Sequence, residues 1–402
     1  MKRKYLIIVH NYWPAFGGAE KLLQSIAENL KKAGENVEVL TSNAKNGEMY
    51  FADKPEVVGK EKEIINGVFV QREDIRNIFQ KIGKRAWKLI EKRRDRLHNF
   101  GPIFLGPHFV KSFLKYIFSK KYTHIICGPF PTSVPFYGYF FKIMHPKTKL
   151  IIDPSLHVND PMHTGRMLQF VARRADSFLV RTKEETLLLN SWGVKSENIF
   201  EIGVGIDEKL LENGEKSGKN KTLSISDYIL YMGQEVPHKN VLVLLESMKK
   251  IWNQGYNTNL LIAGARTSYS RVVDDYIGNI DPDFRKLIFR INDFDESLKR
   301  DLIDNCKFLV MPSSRESFGI VFIEAWARKK AVIGARVSGV RYLIDDGKNG
   351  LLFKENDSDD LAEKIIYLLE NENIAKEIGE EGHDTVLRKY RWGKIMNKIL
   401  SI

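Results

Sequence analysis

Residues 4–10, KYLIIVH, lead into a glycine-bearing loop, NYWPAFGG, and then into AEKLLQSIAENLKKAG and NVEVLTS. The first and last of these are short apolar runs of strand length. The middle one places Leu22, Leu23, Ile26, Ala27 and Leu30 on one helical face, with Gly34 as a carboxyl-terminal stop. A strand, a helix and a second strand in that order make a right-handed crossover and a parallel sheet. This opening constrains the fold more than any other stretch, because a parallel sheet needs helices on both faces.

The same alternation continues. Strands are expected at GVFVQR, THIICG, KLIID, SFLVR and IFEIGVG, and then at YILYMG, NLLIAGA, LIFRI, KFLVMPS, KAVIGAR and GLLF, with loops or helices between them. The polar stretch ENGEKSGKNKTLSISD interrupts the series and reads as a linker or loop opening a second unit, with the boundary near residues 205–225. A chain of 402 residues is long enough for two cores. The expectation is an α/β protein of two Rossmann-like domains, residues 1–205 and 206–385, with a helix at 386–402. In open α/β sheets, ligands gather at the carboxyl ends of strands.

Composition excludes several classes. The two cysteines, Cys127 and Cys306, sit in apolar runs, which argues against a disulfide framework or a cysteine metal site and fits a reducing cytoplasm. MKRKYLIIVH has only five successive apolar residues, too few for a secretory leader, and no run reaches the ~20 of a membrane span. A cytoplasmic protein, soluble or peripheral, is expected. The net charge of +12 is uneven: residues 1–205 hold 33 Lys and Arg against 20 Asp and Glu, and the remainder is nearly neutral.

The segment SSRESFGIVFIEAWARKKAVIGARVSGV, residues 313–340, places two carboxylates, Glu316 and Glu324, in an otherwise apolar setting. Glu316 falls in the exit loop of the strand CKFLVMPS. A helix starts near Phe318, Gly319 and Ile320, where free N–H groups and the helix dipole suit an anion such as a diphosphate. Glu324, one to two turns in, needs a hydrogen-bonding partner, for which vicinal ribose hydroxyls would serve. Residue types alone equally allow Ser317 or Glu316 to cap the helix and Glu324 to meet a neighbouring Lys or Arg. Gly17 and Gly18, between a strand and a helix, let backbone approach a phosphate or sugar closely, or form an ordinary turn. They lack the G-x-G-x-x-G spacing of a dehydrogenase.

The pattern P-S-x-x-E-S-F-G-I-x-x-x-E-A, followed by SGVRYLIDDGKNGLLF, closely resembles the signature of family 4 glycosyltransferases, with their E-x7-E spacing at Glu316 and Glu324. NYWPAFGGAE is similar to that family's P-x-x-G-G-x-E loop, LYMGQEVPHKN to its Y-x-G-R-x-x-x-x-K-G stretch, and GVGID to the N-G-V-D closing the first domain. The resemblance covers most of the chain, more weakly in the first half. It implies a retaining enzyme of the GT-B architecture, two Rossmann-like domains facing each other across a deep cleft. The first would handle the acceptor and the second the nucleotide sugar, with the final helix crossing back to the first. By the same resemblance Glu324 would hold the ribose, and Glu316 with Ser317, Phe318, Gly319 and Ile320 would contact the donor sugar and diphosphate. Lys239 would neutralise the leaving diphosphate, and His157 in IIDPSLHVND would reach the donor hexose. Gly17, Gly18, Gln234 and Arg266 complete the donor candidates. The chain departs from the pattern at Gln234, where the family usually has Arg, so one of two diphosphate-binding cations is missing; Arg266 and Arg315 are candidates to replace it. No cofactor beyond the donor and no essential metal is expected, because the triplets at Asp281–Asp283 and Asp293–Asp295 arise readily among 51 acidic residues.

Residues 76–121 carry 13 Lys and Arg against two acids, interleaved with aromatic residues. Ile75, Phe79, Ile82, Ala86, Leu89 and Ile90 form a helical stripe with Lys81, Lys84, Arg85, Lys88 and Lys92 on the other faces. Two readings stand: the stripe packs on the domain's own sheet, or the helix lies on an anionic membrane surface on the inner face of the membrane. No nucleic-acid module is present. The function expected is transfer of a hexose from a nucleotide diphosphate sugar to a hydroxyl of a carbohydrate or lipid-linked acceptor, in cell-surface polysaccharide or glycolipid synthesis. The alternatives are an inactive nucleotide-sugar-binding subunit, which Gln234 favours, and a sugar epimerase on the same scaffold.

Overall fold

A computed structural model describes residues 2–14, 18–92, 98–119, 121–156, 160–212, 225, 227–292, 294 and 296–402. The chain divides into two units, Met1–Gly203 with Met396–Ile402, and Val204–Ile395.

The sheet of the first unit is built from β1 (Lys4–Val9), β2 (Asn36–Ser42), β3 (Lys62–Ile65), β4 (Val68–Glu73), β5 (His124–Gly128), β6 (Lys149–Ile152), β7 (Ser177–Val180) and β8 (Ile199–Glu201). Their order is β3-β4-β2-β1-β5-β6-β7-β8. Every pairing is parallel except β3 with β4. Those two form a hairpin closed by Asn66 and Gly67, both at positive φ, and an Asn-Gly pair is the residue choice for such a turn. Leu22, Leu23, Ile26, Ala27 and Leu30 of the helix Gly18–Lys32 are buried, as their spacing predicts. The chain leaves that helix at Gly34, whose φ of 87° suits glycine. Successive strands run outward in both directions from β1, so the order reverses beside β1, and its exit loop is where a ligand is expected.

The second unit has β9 (Tyr228–Met232), β10 (Asn259–Ala263), β11 (Ile288–Ile291), β12 (Cys306–Met311), β13 (Val332–Ala335) and β14 (Leu351–Phe353). All are parallel, in the order β11-β10-β9-β12-β13-β14. Strands β9 and β12 are apolar and buried nearly throughout, which fits a sheet covered on both faces. The order reverses between them, and their exits define this unit's ligand crevice.

The basic helix, Ile78–Lys92, lies differently from the simpler expectation. Of its apolar stripe, Phe79, Ile82 and Leu89 are exposed, while Gln80, Gly83 and Ile90 are buried. Close packing is the cause. A side chain at Gly83 would run into the His108 imidazole, 2.1 Å away, and the Gln80 amide donates to the Gly106 carbonyl at 3.1 Å. No helix among the described residues is long and apolar enough to cross a membrane.

His124, at the start of β5, is buried and stacks on Tyr5 with ring centres 4.8 Å apart. Burial, reinforced by Arg3 and Lys149, pushes its imidazole down to about 4. The native state therefore resists a proton that the unfolded chain accepts near pH 6.5. This contribution is complete above about pH 6.5 and is lost as the pH falls toward about 4. Melting temperatures of a His124→Phe variant should fall less steeply over that window than those of the wild type.

Candidate functional site

The site of the second unit grows from the exits of β9 and β12. After β12 the chain runs through residues 312–318 to Gly319, which has φ 85° and precedes the helix Ile320–Ala327. A side chain at Gly319 would meet the Phe322 ring at 2.5 Å. Gly339 comes still closer, because a Cβ there would lie 2.2 Å from the Ser317 carbonyl oxygen. Its N–H donates to the Glu316 carbonyl at 3.1 Å. Glycine at 339 thus lets the SGV turn press against the Glu316 loop and fix it.

The exit loop of β9 is tied to the same place. The Ser314 N–H donates to the His238 carbonyl at 2.8 Å. This brings Lys239 and Glu316 together, with Lys239 Nζ 2.5 Å from Glu316 Oε2. Both side chains are largely buried, at 21 and 14 % exposure. Two residues 77 positions apart, each read from sequence as a site residue, form one ion pair at the crevice. Beside them the Ser313 hydroxyl, 2 % exposed, has no partner among the described residues.

Glu324 lies within the helix Ile320–Ala327 and is 8 % exposed. Its Oε1 accepts from Lys299 Nζ at 3.0 Å, so its burial is met by an internal cation, the second of the two arrangements that residue types allowed. The ammonium occupies one of the carboxylate's several acceptor positions. Sequence reasoning did not single out Lys299, which lies 25 residues away on the helix Glu296–Asp304.

Gln234 is exposed, and its carbonyl accepts from the Tyr231 hydroxyl at 3.1 Å. Burial, with Glu235 and Glu316 nearby, raises the Tyr231 phenol, so the proton of that bond is retained. The β9 and β10 exits nearly touch: a Cβ on Gly264 would lie 2.0 Å from the Gly233 carbonyl. Arg266 is exposed and bound to Asp274, and Arg315 is exposed. Asp274 also binds Arg290, whose guanidinium grips the buried Glu235 at 2.5 Å. This network, missed in the sequence, neutralises Arg266 and Arg290 locally.

In the first unit, Gly17 and His157 lie outside the described residues. Gly18 opens its helix with open space where a side chain would be. The loop's glutamate, Glu20, pairs with His10 at 2.8 Å. Burial works to raise the Glu20 carboxyl, but the bond and charge from His10 outweigh it and hold the group below the usual range. Before the His157 position, Asp153 is held by Arg181 at 2.9 Å, and Glu185 accepts the Leu156 N–H at 2.7 Å. Asp281 caps the short helix Pro282–Arg285 and Asp283 pairs with Lys286 at 2.8 Å, whereas Asp293 and Asp295 lie outside the described residues.

Comparison with known proteins bears on the fold and on the second unit's sequence. Residues 213–385 match the sequence profile of the family described as glycosyl transferases group 1. HepE of Anabaena, crystallised with UDP, superposes with a TM-score of 0.72 over 99 % of this chain and 98 % of its own, at 16 % identity. The fold is GT-B. An uncharacterized glycosyltransferase of Methanocaldococcus jannaschii is 33 % identical over 44 % of this chain and 49 % of its own length. The capsular polysaccharide biosynthesis glycosyltransferase CapM of Staphylococcus aureus is 30 % identical over 47 % of this chain and 49 % of its own. The match thus spans about half the length of these relatives.

Replacing Lys299 by Met leaves the Glu324 carboxylate buried without its cation. A loss of about 1–3 kcal/mol in denaturant unfolding is expected. The double variant with Glu324→Gln should recover most of it, which would mark the pair as a compensated internal charge.

Proposed function

We propose that this protein is a retaining glycosyltransferase that moves a hexose from a nucleoside diphosphate sugar to a hydroxyl of a carbohydrate or lipid-linked acceptor, in the synthesis of a cell-surface polysaccharide or glycolipid. The observation that carries the proposal is the Lys239–Glu316 pair at the exits of β9 and β12, where the strand order reverses. UDP bound by HepE and the role stated in the name of CapM support the donor class and the pathway class.

In this reading the diphosphate takes Lys239 from Glu316 and gains the N–H groups at Gly319 and Ile320. Glu316, released from the ammonium, accepts hydroxyls of the donor sugar. Ser317 and Phe318 line the same loop, and Glu324 accepts the ribose hydroxyls beside Lys299. Breaking the anomeric bond leaves positive charge on the sugar and negative charge on the departing phosphate oxygen. Lys239 and the helix amides are aimed at that oxygen, and this stabilisation supplies much of the rate. The departing phosphate takes the acceptor's proton on the same face, which accounts for retention without a separate base. Gln234 contributes a neutral amide where a second cation would stand, so Lys239 carries more of the diphosphate's charge.

The test is release of nucleoside diphosphate from UDP-, GDP- and ADP-linked sugars with sugar and lipid acceptors supplied. Turnover of one donor is expected, with an axial or equatorial product bond matching the donor's by NMR. Lys239→Met should lower kcat by about 10²–10³-fold, and Glu316→Gln should lower kcat more than it weakens nucleotide binding. Nucleotide binding with no turnover of any donor would instead mark a binding subunit without activity.

A further inference from the structure

We propose that the first unit docks on an anionic lipid bilayer through the outer faces of the helices Ile78–Lys92 and Val134–Met144. The inference does not depend on the donor chemistry.

The first helix turns only part of its apolar stripe inward, with Ile90 buried along with Gln80 and Gly83. It buries Gln80 and Gly83 and exposes Ile78, Ile82 and Leu89, each more than half accessible. The Gly83–His108 contact and the two Gln80 hydrogen bonds, to Gly106 at 3.1 Å and from the His108 N–H at 3.2 Å, lock this orientation. Lys81, Arg85, Lys88 and Lys92 follow the exposed aliphatic residues along adjoining faces. An outward face with apolar side chains along one flank and cations along the other is the pattern of an interfacial helix.

The second helix extends the patch. Phe140, Ile143 and Met144, at helical spacing, are each about half exposed. Its one charged residue, Lys142, is bound to Asp176 at 2.6 Å. Between the two helices lies a hollow of about 290 Å³ lined by Phe79, Ile82, Phe104, Phe136 and Phe140 among others. Phe79 and Ile82 of the first helix thus share one hollow with Phe136 and Phe140 of the second, and exposed apolar patches mark a binding surface.

Charge selects the occupant. A second copy of this chain meeting the patch by two-fold symmetry would bring the basic flanks against each other. A nucleic acid would satisfy the cations but would leave the aliphatic side chains without an apolar partner. A bilayer with anionic headgroups satisfies both, with the phenylalanines in the acyl boundary and the ammonium groups among the phosphates.

The experiment is flotation of the full chain with vesicles of phosphatidylcholine alone and of phosphatidylcholine with phosphatidylglycerol. Binding to the anionic vesicles is expected, weakened by salt. Lys81→Gln, Arg85→Gln and Lys88→Gln together should reduce partitioning by about fivefold for each charge removed. Phe79→Ser with Phe140→Ser should reduce it further; should that variant fail to fold, the glutamine set and the salt titration of the wild type still decide. Three results overturn the proposal: no flotation of the wild type with anionic vesicles, flotation that both variant sets leave unchanged, or self-association in light scattering that the apolar substitutions abolish while flotation is absent.

Discussion

The contact between Lys239 and Glu316 depends on two sheet exits being held within hydrogen-bonding distance of each other. Two parallel strands, β9 and β12, end side by side at the point where the strand order reverses. The loops beyond them are stitched by the Ser314–His238 hydrogen bond and pressed from behind by Gly339. Widening the glycine would force the Ser317 carbonyl away, and breaking the stitch would separate the charges. The pair rests on backbone packing that leaves no room for a side chain at Gly339.

The two carboxylates of this segment are handled differently, although both are matched by lysine. Glu324 lies inside a helix and meets a cation brought from the neighbouring helix Glu296–Asp304. Glu316 lies in a loop and meets Lys239, which follows the exit of β9. The first arrangement keeps a buried charge in place; under the proposed function, the second would exchange partners with an arriving diphosphate. Of the arginines that sequence offered as substitutes for the cation missing at Gln234, Arg266 is bound to Asp274 and Arg315, in the Glu316 loop, is exposed.

Much of the fold was legible because parallel strands buried on both faces are largely apolar runs: β1, β5, β9 and β10 contain such runs, while β2, β4 and β12 are apolar runs interrupted or ended by polar residues. β3 was overlooked, since KEII is short and half-polar, yet the Asn66–Gly67 pair that turns it back is a recognisable hairpin signal. Glu316 and Lys239 were legible from their places after strands and from the family resemblance. Lys299 was not, because a cation 25 residues away on another helix leaves no periodic trace. The Glu235–Arg290–Asp274 network was hidden for the same reason. The orientation of the basic helix was also illegible: its stripe shows that one face is apolar, but the Gly83–His108 packing and the Gln80 hydrogen bonds turn Phe79, Ile82 and Leu89 outward while Ile75 and Ile90 stay buried.

The central claim is that Lys239 and Glu316 form a site for a nucleoside diphosphate rather than an internal neutralised pair. Calorimetric titration of the intact protein with UDP, GDP and ADP tests it most directly. The account predicts that one nucleotide binds, that Lys239→Met weakens it by at least about tenfold, as expected for a hydrogen bond to a charged group worth roughly 1.5–3 kcal/mol, and that Glu316→Gln, by freeing the ammonium, leaves binding intact or tighter. Equal affinity in the wild type and the Lys239→Met variant, with both folded, would contradict it.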